Sequence, residues 1–260
     1  MTTNKAVLAY ANQIRAADLT TGTGTWDPAR PLDNLELPQL PVPYVLATPD
    51  AGALSITWAP AAATTVDVLA VLGHTLPAGA VVTFTDEEAN QLAQVTWNPG
   101  ANDDLAPNVV VVLASPAEVE SITVTITSAG SAPVRLAGLW ASVSFRACSE
   151  RGWGFAPDDF SLFDQVDATR WVNPRTVANG TTGAFPDLTE DQAIGSAGSV
   201  NLRAVFRQLG TSRPALWVPR AESQASINRS HVYGFFETPG RTQQRGGPWW
   251  RADFSIREMR

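Results

Sequence analysis

An all-β sandwich is the fold the sequence predicts, and three observations predict it. Turn formers punctuate the whole chain, with 19 glycines and 19 prolines among 260 residues, too often for long helices or a coiled coil. Apolar residues alternate with polar ones at period two, or gather in short β-branched runs, and these segments return roughly every 10 to 15 residues. Helical periodicity, by contrast, is scarce. A hydrophobic fraction of 44% in 260 residues is enough for a sizeable core, and the composition is not that of a disordered chain.

The first 45 residues carry Gly22, Gly24, Pro28, Pro31, Pro38, Pro41 and Pro43, so only short strands and extended arms are expected there. Leu54-Ser55-Ile56-Thr57-Trp58 alternates as a strand with one wet face. Val66 to Leu72 and Val109 to Leu113 are short apolar runs rich in β-branched residues, the pattern of strands buried on both faces. Ile122 to Thr127 places its isoleucines and valine on one face and its threonines on the other. A short link at Ser128-Ala129-Gly130-Ser131 leads to an apolar strand from Val134 to Phe145, and so short a link predicts an antiparallel hairpin between the two.

Three short helical stretches are expected. Asp86 to Leu92 allows two turns, and Asp158 to Val166 is another candidate. Ser115-Pro116-Ala117-Glu118 has capping-box spacing with proline at the tolerated first position. Further on, Val200, Leu202, Ala204 and Phe206 alternate with Asn201, Arg203, Val205 and Arg207. The same rhythm recurs where Trp250, Ala252, Phe254 and Ile256 alternate with Arg251, Asp253, Ser255 and Arg257. Both read as strands with arginines on the wet face.

Charge divides the chain in the same place as this change of style. Residues 1–150 carry a net −9 and residues 151–260 a net +2, which together make the −7 of the whole chain. Two regions are therefore expected: a sandwich over 1–148 with a proline-rich N-terminal arm, and a smaller, arginine-rich β region over 149–260 that docks on other protein. An acidic chain repels phosphate, so nucleic acid is not an expected partner. No apolar run nears the ~20 residues of a membrane span, and Lys5 is followed by no apolar stretch of the secretory kind.

Chemistry-bearing patterns are few. The single cysteine, Cys148, excludes an internal disulfide, and with His74 and His231 it does not complete an ordinary zinc site. There is no Gly-x-Ser-x-Gly elbow and no phosphate loop. His74, at a strand-to-turn junction, and His231 are expected to satisfy backbone groups rather than act as bases. Asp103-Asp104 would offer hard oxygens to calcium but lacks an EF-hand spacing. No catalytic residue, metal or cofactor is predicted. Tryptophan is the unusual count, at nine. Trp58, Trp140 and Trp250 fall on inner-face registers, whereas Trp97 and Trp153 fall in loops and are the expected contact residues for a glycan or a partner. Arg203, Arg207, Arg251 and Arg257 are the expected docking cations.

Several short segments occur in a familiar order. They are Ala11-Asn12-Gln13-Ile14, Leu32-Asp33-Asn34-Leu35, the strand to Trp58, Val66 through Leu72-Gly73-His74-Thr75-Leu76, Ala80 to Phe84, Ile122 to Thr127, and Val134-Arg135-Leu136-Ala137-Gly138-Leu139-Trp140. This set resembles the galactose-binding-like jelly roll of tail-module proteins of long-tailed bacteriophages, with Thr75 where asparagine is usual. Pro214 to Pro219 and the closing strand into Arg257-Glu258 are similar, more loosely, to the C-terminal region of such proteins. The resemblance implies a non-enzymatic virion component of the tail tip or baseplate, made in the bacterial cytoplasm and assembled into the phage tail. Its partners would be other tail proteins and further copies of itself in a symmetric assembly. The alternative is a glycan-binding module that recognises the bacterial surface. A polysaccharide hydrolase would need two carboxylates meeting across a cleft.

Overall fold

The computed structural model describes residues 5–36, 44–99, 107–148, 154–158, 162–166, 169–173, 178–195 and 200–259. Asp103, Asp104 and Trp153 lie outside them. The proline spacing leaves only short strands at the start: β1 (Lys5–Ala9), β2 (Leu19–Thr21), β3 (Thr25–Trp26) and β4 (Val45–Thr48), with single 3-10 turns at Ala16–Asp18 and Leu32–Leu35. The alternating and β-branched segments then form β5 (Leu54–Trp58), β6 (Thr64–Leu72), β7 (Val81–Thr85), β8 (Gln91–Thr96), β9 (Val109–Val119) and β10 (Ile122–Thr127). Three short strands follow, β11 (Val134–Leu136), β12 (Gly138–Ser142) and β13 (Ser144–Cys148). The rest comprises β14 (Gly154–Asp158), β15 (Leu162–Val166), β16 (Thr169–Asn173), β17 (Ala178–Leu188), α1 (Glu190–Ala193), α2 (Leu202–Leu209), β18 (Pro214–Val218), α3 (Gln224–Ser230), β19 (Val232–Gly246) and β20 (Trp249–Glu258).

The strands stack as layers. A five-stranded antiparallel sheet, ordered β2-β5-β10-β7-β8, faces two three-stranded ladders, β12-β6-β9 and β11-β4-β3. Between them lies a core that joins Ile56, Trp58, Phe84 and Val124 to Leu69, Val71, Val111 and Leu139. This is the predicted jelly-roll sandwich. The alternation in β5 and β10 is the cause: inward residues are buried and the intervening serine and threonines only partly so.

The far face of β6, β9 and β12 is covered as well. Val68, Ala70, Leu72, Val110 and Trp140 pack against Val7, Ala9, Leu216, Val218 and Tyr233 of a seven-stranded sheet ordered β13-β1-β18-β19-β20-β17-β14. β6 is therefore apolar on both sides because it is the middle of three layers. On its other face the seven-stranded sheet packs Leu8, Phe185, Trp217, Phe236 and Phe254 against Leu202, Val205, Phe206 and Leu209 of α2. Each large side chain so buried contributes about 1.5–3 kcal/mol of hydrophobic stabilisation.

One polar contact crosses between layers. Asp67 of β6 is buried and takes bonds from Arg146 Nε (3.0 Å), Arg146 Nη2 (2.8 Å) and Ser144 Oγ (2.7 Å) on β13. Arg146 also donates to the Leu113 carbonyl at 2.9 Å.

Several expectations are corrected. Residues 202–209 are a helix, not a strand: Leu202, Val205, Phe206 and Leu209 are buried at helical spacing while Ala204 is exposed. Asn201 caps it by accepting from Ala204 N–H at 2.9 Å, and Gly210 ends it at φ 54°. Asp86 to Leu92 holds the β7–β8 turn, because the Asp86 carboxylate accepts the N–H groups of Glu88 and Asn90 (3.0 and 2.7 Å) and Ala89 sits at φ 63°. Ser115 to Glu118 continues β9, whose far end pairs with Thr65 and Val66, and residues 162–166 are strand. The hairpin expected after β10 does not form. Both edges of β10 are taken, by β5 and β7, so the chain crosses to the opposite sheet. The single strand expected over 134–145 is three strands, paired to β4, β6 and β1 in turn. The boundary drawn at 148 is crossed too, since β1 and β13 are hydrogen-bonded into the sheet of the second half.

Candidate functional site

Where the sandwich leans on the seven-stranded sheet, a cleft of about 560 Å³ opens between them. That lies within the range of small-molecule sites. Inside the sandwich, the void beneath Trp58 and Phe84 measures about 10 Å³.

One wall is the segment that leaves β1 and enters the sandwich. Ala11 makes the turn at φ 58°, and Asn12 then holds it. The Asn12 amide donates to the carbonyls of Leu139 (2.9 Å) and Glu36 (3.2 Å), while its oxygen accepts from Ala141 N–H (3.1 Å) and Ile14 N–H (3.3 Å). Arg15 is folded back on the same segment, donating from Nη1 to the carbonyls of Asn12 (3.1 Å) and Ile14 (2.8 Å), with Nε 3.9 Å from Glu36 Oε1. Glu36 in turn accepts Ala16 N–H at 3.0 Å. This wall is rigid because its polar groups satisfy one another.

The facing wall comes from the end of α2 and the loop that joins it to β18. Gly210 N–H bonds the Phe206 carbonyl at 2.9 Å and Arg213 N–H the Leu209 carbonyl at 3.2 Å, which fixes that loop. Gln208, Ser212 and Arg213 line the cleft, and among the described residues their side chains have no hydrogen-bond or ionic partner. Pro214 and Phe235 supply apolar surface, with the buried Trp140 behind them. Trp140 is held by Nε1 donating to Ser142 Oγ at 2.8 Å and by edge contact with Tyr233. The cleft thus joins one pre-organised polar wall, one wall of uncommitted donors and an apolar floor.

Neither histidine reaches it. His74 is buried edge-on to Trp97, with centroids 4.5 Å apart, and its Nδ1 accepts Leu76 N–H at 3.3 Å. Burial, helped by the nearby His231, lowers its pKa to about 3. His231 caps α3, its Nδ1 3.0 Å from the Ile227 carbonyl, and burial lowers its pKa to about 4. Both imidazoles are neutral at pH 7. Glu36 is the carboxylate among the described residues that line the cleft.

The residues singled out by sequence do not converge. Trp97, expected in a contact loop, is 7% exposed and belongs to the sandwich core. Arg203 and Arg207 stand one turn apart on the exposed face of α2, outside the cleft lining. Arg251 is chelated by Asp253, with Nε 2.7 and 2.8 Å from its two oxygens, and Arg257 pairs with Glu237 at 2.7 Å. Sequence reasoning missed Arg15, Gln208, Ser212, Arg213 and Phe235, which no local pattern groups. It also passed over Trp249, 50% exposed at the tip of the β19–β20 hairpin. The pair Gly246-Gly247, at φ 127° and 58°, marks that turn.

No protein-family model matches the sequence, and no curated protein matches it significantly. Solved structures do resemble part of it. A fucose-binding module of Streptococcus pneumoniae has 13% identity over 51% of this chain and 95% of its own, with a TM-score of 0.39. The family 32 carbohydrate-binding module of C. perfringens NanJ, solved with galactose, has 15% identity over 52% and 98%, with a TM-score of 0.38. The lectin domain of lectinolysin, solved with Lewis B antigen, has 9% identity over 51% and 99%, with a TM-score of 0.36. At these values the likeness concerns general β-sandwich layout alone.

Proposed function

We propose that this chain is a non-catalytic recognition module that binds a glycan in the cleft between its sandwich and its seven-stranded sheet. The observation that supports this reading is the pairing, within one cleft, of an apolar floor at Pro214 and Phe235 with the uncommitted polar groups of Gln208, Ser212 and Arg213. A pyranose has the matching chemistry, a C–H face for the floor and a ring of hydroxyls for the donors and acceptors. A glycan array probed with the folded chain tests it, followed by calorimetry on the best sugar. Gln208→Ala should weaken binding without lowering Tm. Signals at background across a broad array, from protein with native circular dichroism, would refute it.

A second reading, the virion component of a phage tail, draws support from a different surface. Trp249 is half exposed at a hairpin tip beside the exposed Arg245, and tryptophan and arginine are both enriched at protein–protein hot spots. Mass spectrometry of purified particles, separated into heads and tails, tests it. The chain should co-purify with tails, and its absence from particles would end this reading.

A further inference from the structure

We infer that the cleft selects a saccharide bearing one carboxylate, a uronic- or sialic-acid sugar, and that Arg213 receives that carboxylate. This rests on the glycan reading above and narrows it to a substrate class. Charge and commitment single out Arg213. Among the described residues, three charged side chains line the cleft, Arg15, Glu36 and Arg213. The first two face each other and are further tied to the backbone at Asn12, Ile14 and Ala16, so they neutralise one another. Arg213 is left as one net positive charge with no acid partner among the described residues.

Its position is set by the backbone bond to Leu209, which holds the residue at the cleft without using its guanidinium donors. A guanidinium presents a planar fork that a carboxylate fills bidentately. One cation matches a monoanion. A phosphate monoester would bring a second negative charge that Glu36, across the cleft, opposes. Arg203 and Arg207, elsewhere on α2, also lack acid partners among the described residues.

The test compares matched probes on the whole chain by calorimetry: digalacturonic acid against its dimethyl ester, and sialyllactose against lactose. At least one acid should bind about tenfold or more tightly than its neutral counterpart, and that preference should shrink as salt rises from about 0.05 to about 0.5 M. Arg213→Gln should abolish the preference with Tm unchanged, and Arg213→Lys should keep part of it. If the array is positive but acid and neutral sugars bind alike, or if Arg213→Gln leaves the preference intact, the carboxylate assignment fails while glycan binding stands. If the array is blank, the glycan reading fails and takes this one with it.

Discussion

Acidification from pH 7 to 4.5 should cost this protein a large part of its stability, and the two buried histidines set the amount. Both folded-state pKa values lie below the ordinary 6.5, at about 3 for His74 and about 4 for His231, mainly because burial disfavours the charged ring. The unfolded chain therefore binds more protons than the folded one throughout the window between those values and 6.5. Stability is intact above about pH 6.5 and falls as the pH drops through that window. At pH 4.5 each histidine accounts for about 2 to 3 kcal/mol, and the pair for about 5 kcal/mol, comparable with the whole stability of many domains. The hydrogen bonds explain why neither ring can adapt. His74 uses Nδ1 to accept Leu76 N–H, so a second proton there opposes a donor; His231 points Nδ1 at the Ile227 carbonyl, and its Nε2 is buried without an acceptor. Urea unfolding at pH 7.0, 5.5 and 4.5 measures the loss, with about 3 kcal/mol expected by 5.5 and about 5 by 4.5. His74→Gln should flatten the slope by about half. An imidazole that titrates near 6.5 by NMR in the folded protein, or a His74→Gln slope equal to wild type, would refute the reasoning.

Three further outcomes are expected. Arg146→Met leaves the Asp67 carboxylate buried without its cation and should lower unfolding free energy by about 3–5 kcal/mol, read by urea titration at pH 7. Gly234→Ala should prevent folding or cost Tm heavily, because a Cβ there would stand 1.9 Å from the Arg257 carbonyl oxygen, in backbone that cannot step aside; a soluble variant with native circular dichroism and wild-type Tm would contradict the packing of β19 on β20. Trp97→Ala should cost about 3–5 kcal/mol of stability yet leave ligand affinity unchanged, since its ring is packed on His74 and lies away from the cleft; calorimetry and thermal melts on the same sample separate the two effects.

What is legible in the sequence is whatever repeats locally. β5 and β10 announce themselves because one face is wet, and β6 because neither is. α2 imitates a strand because Val200, Leu202, Ala204 and Phe206 alternate, although the buried Val205 and exposed Ala204 obey only the helical period. The run from Val134 imitates one strand because hydrophobicity does not record which sheet a strand joins. The cleft is illegible for the same reason. Asn12 and Arg15 meet Gln208 and Arg213 only because β1 pairs with β18, a long-range event with no signature in any window of residues. Exposed tryptophan is equally hidden: Trp97 in a loop is core, and Trp249 at the start of a strand is surface.

The place of β1 has a consequence for how this chain is born. A ribosome releases β1 early, yet its two neighbours, β13 and β18, pair Val7 with Arg146 and with Val218. Before then the layer that covers Val68, Ala70, Leu72, Val110 and Trp140 has Val7 and Ala9 of β1 but lacks Leu216, Val218 and Tyr233. That face is therefore only partly covered until β18 has been made. A nonsense codon or protease cut near residue 148 would not release a self-sufficient sandwich. It would release a sandwich that keeps β1 and β13 but lacks β18 and β19, prone to associate through the part of the face those strands cover.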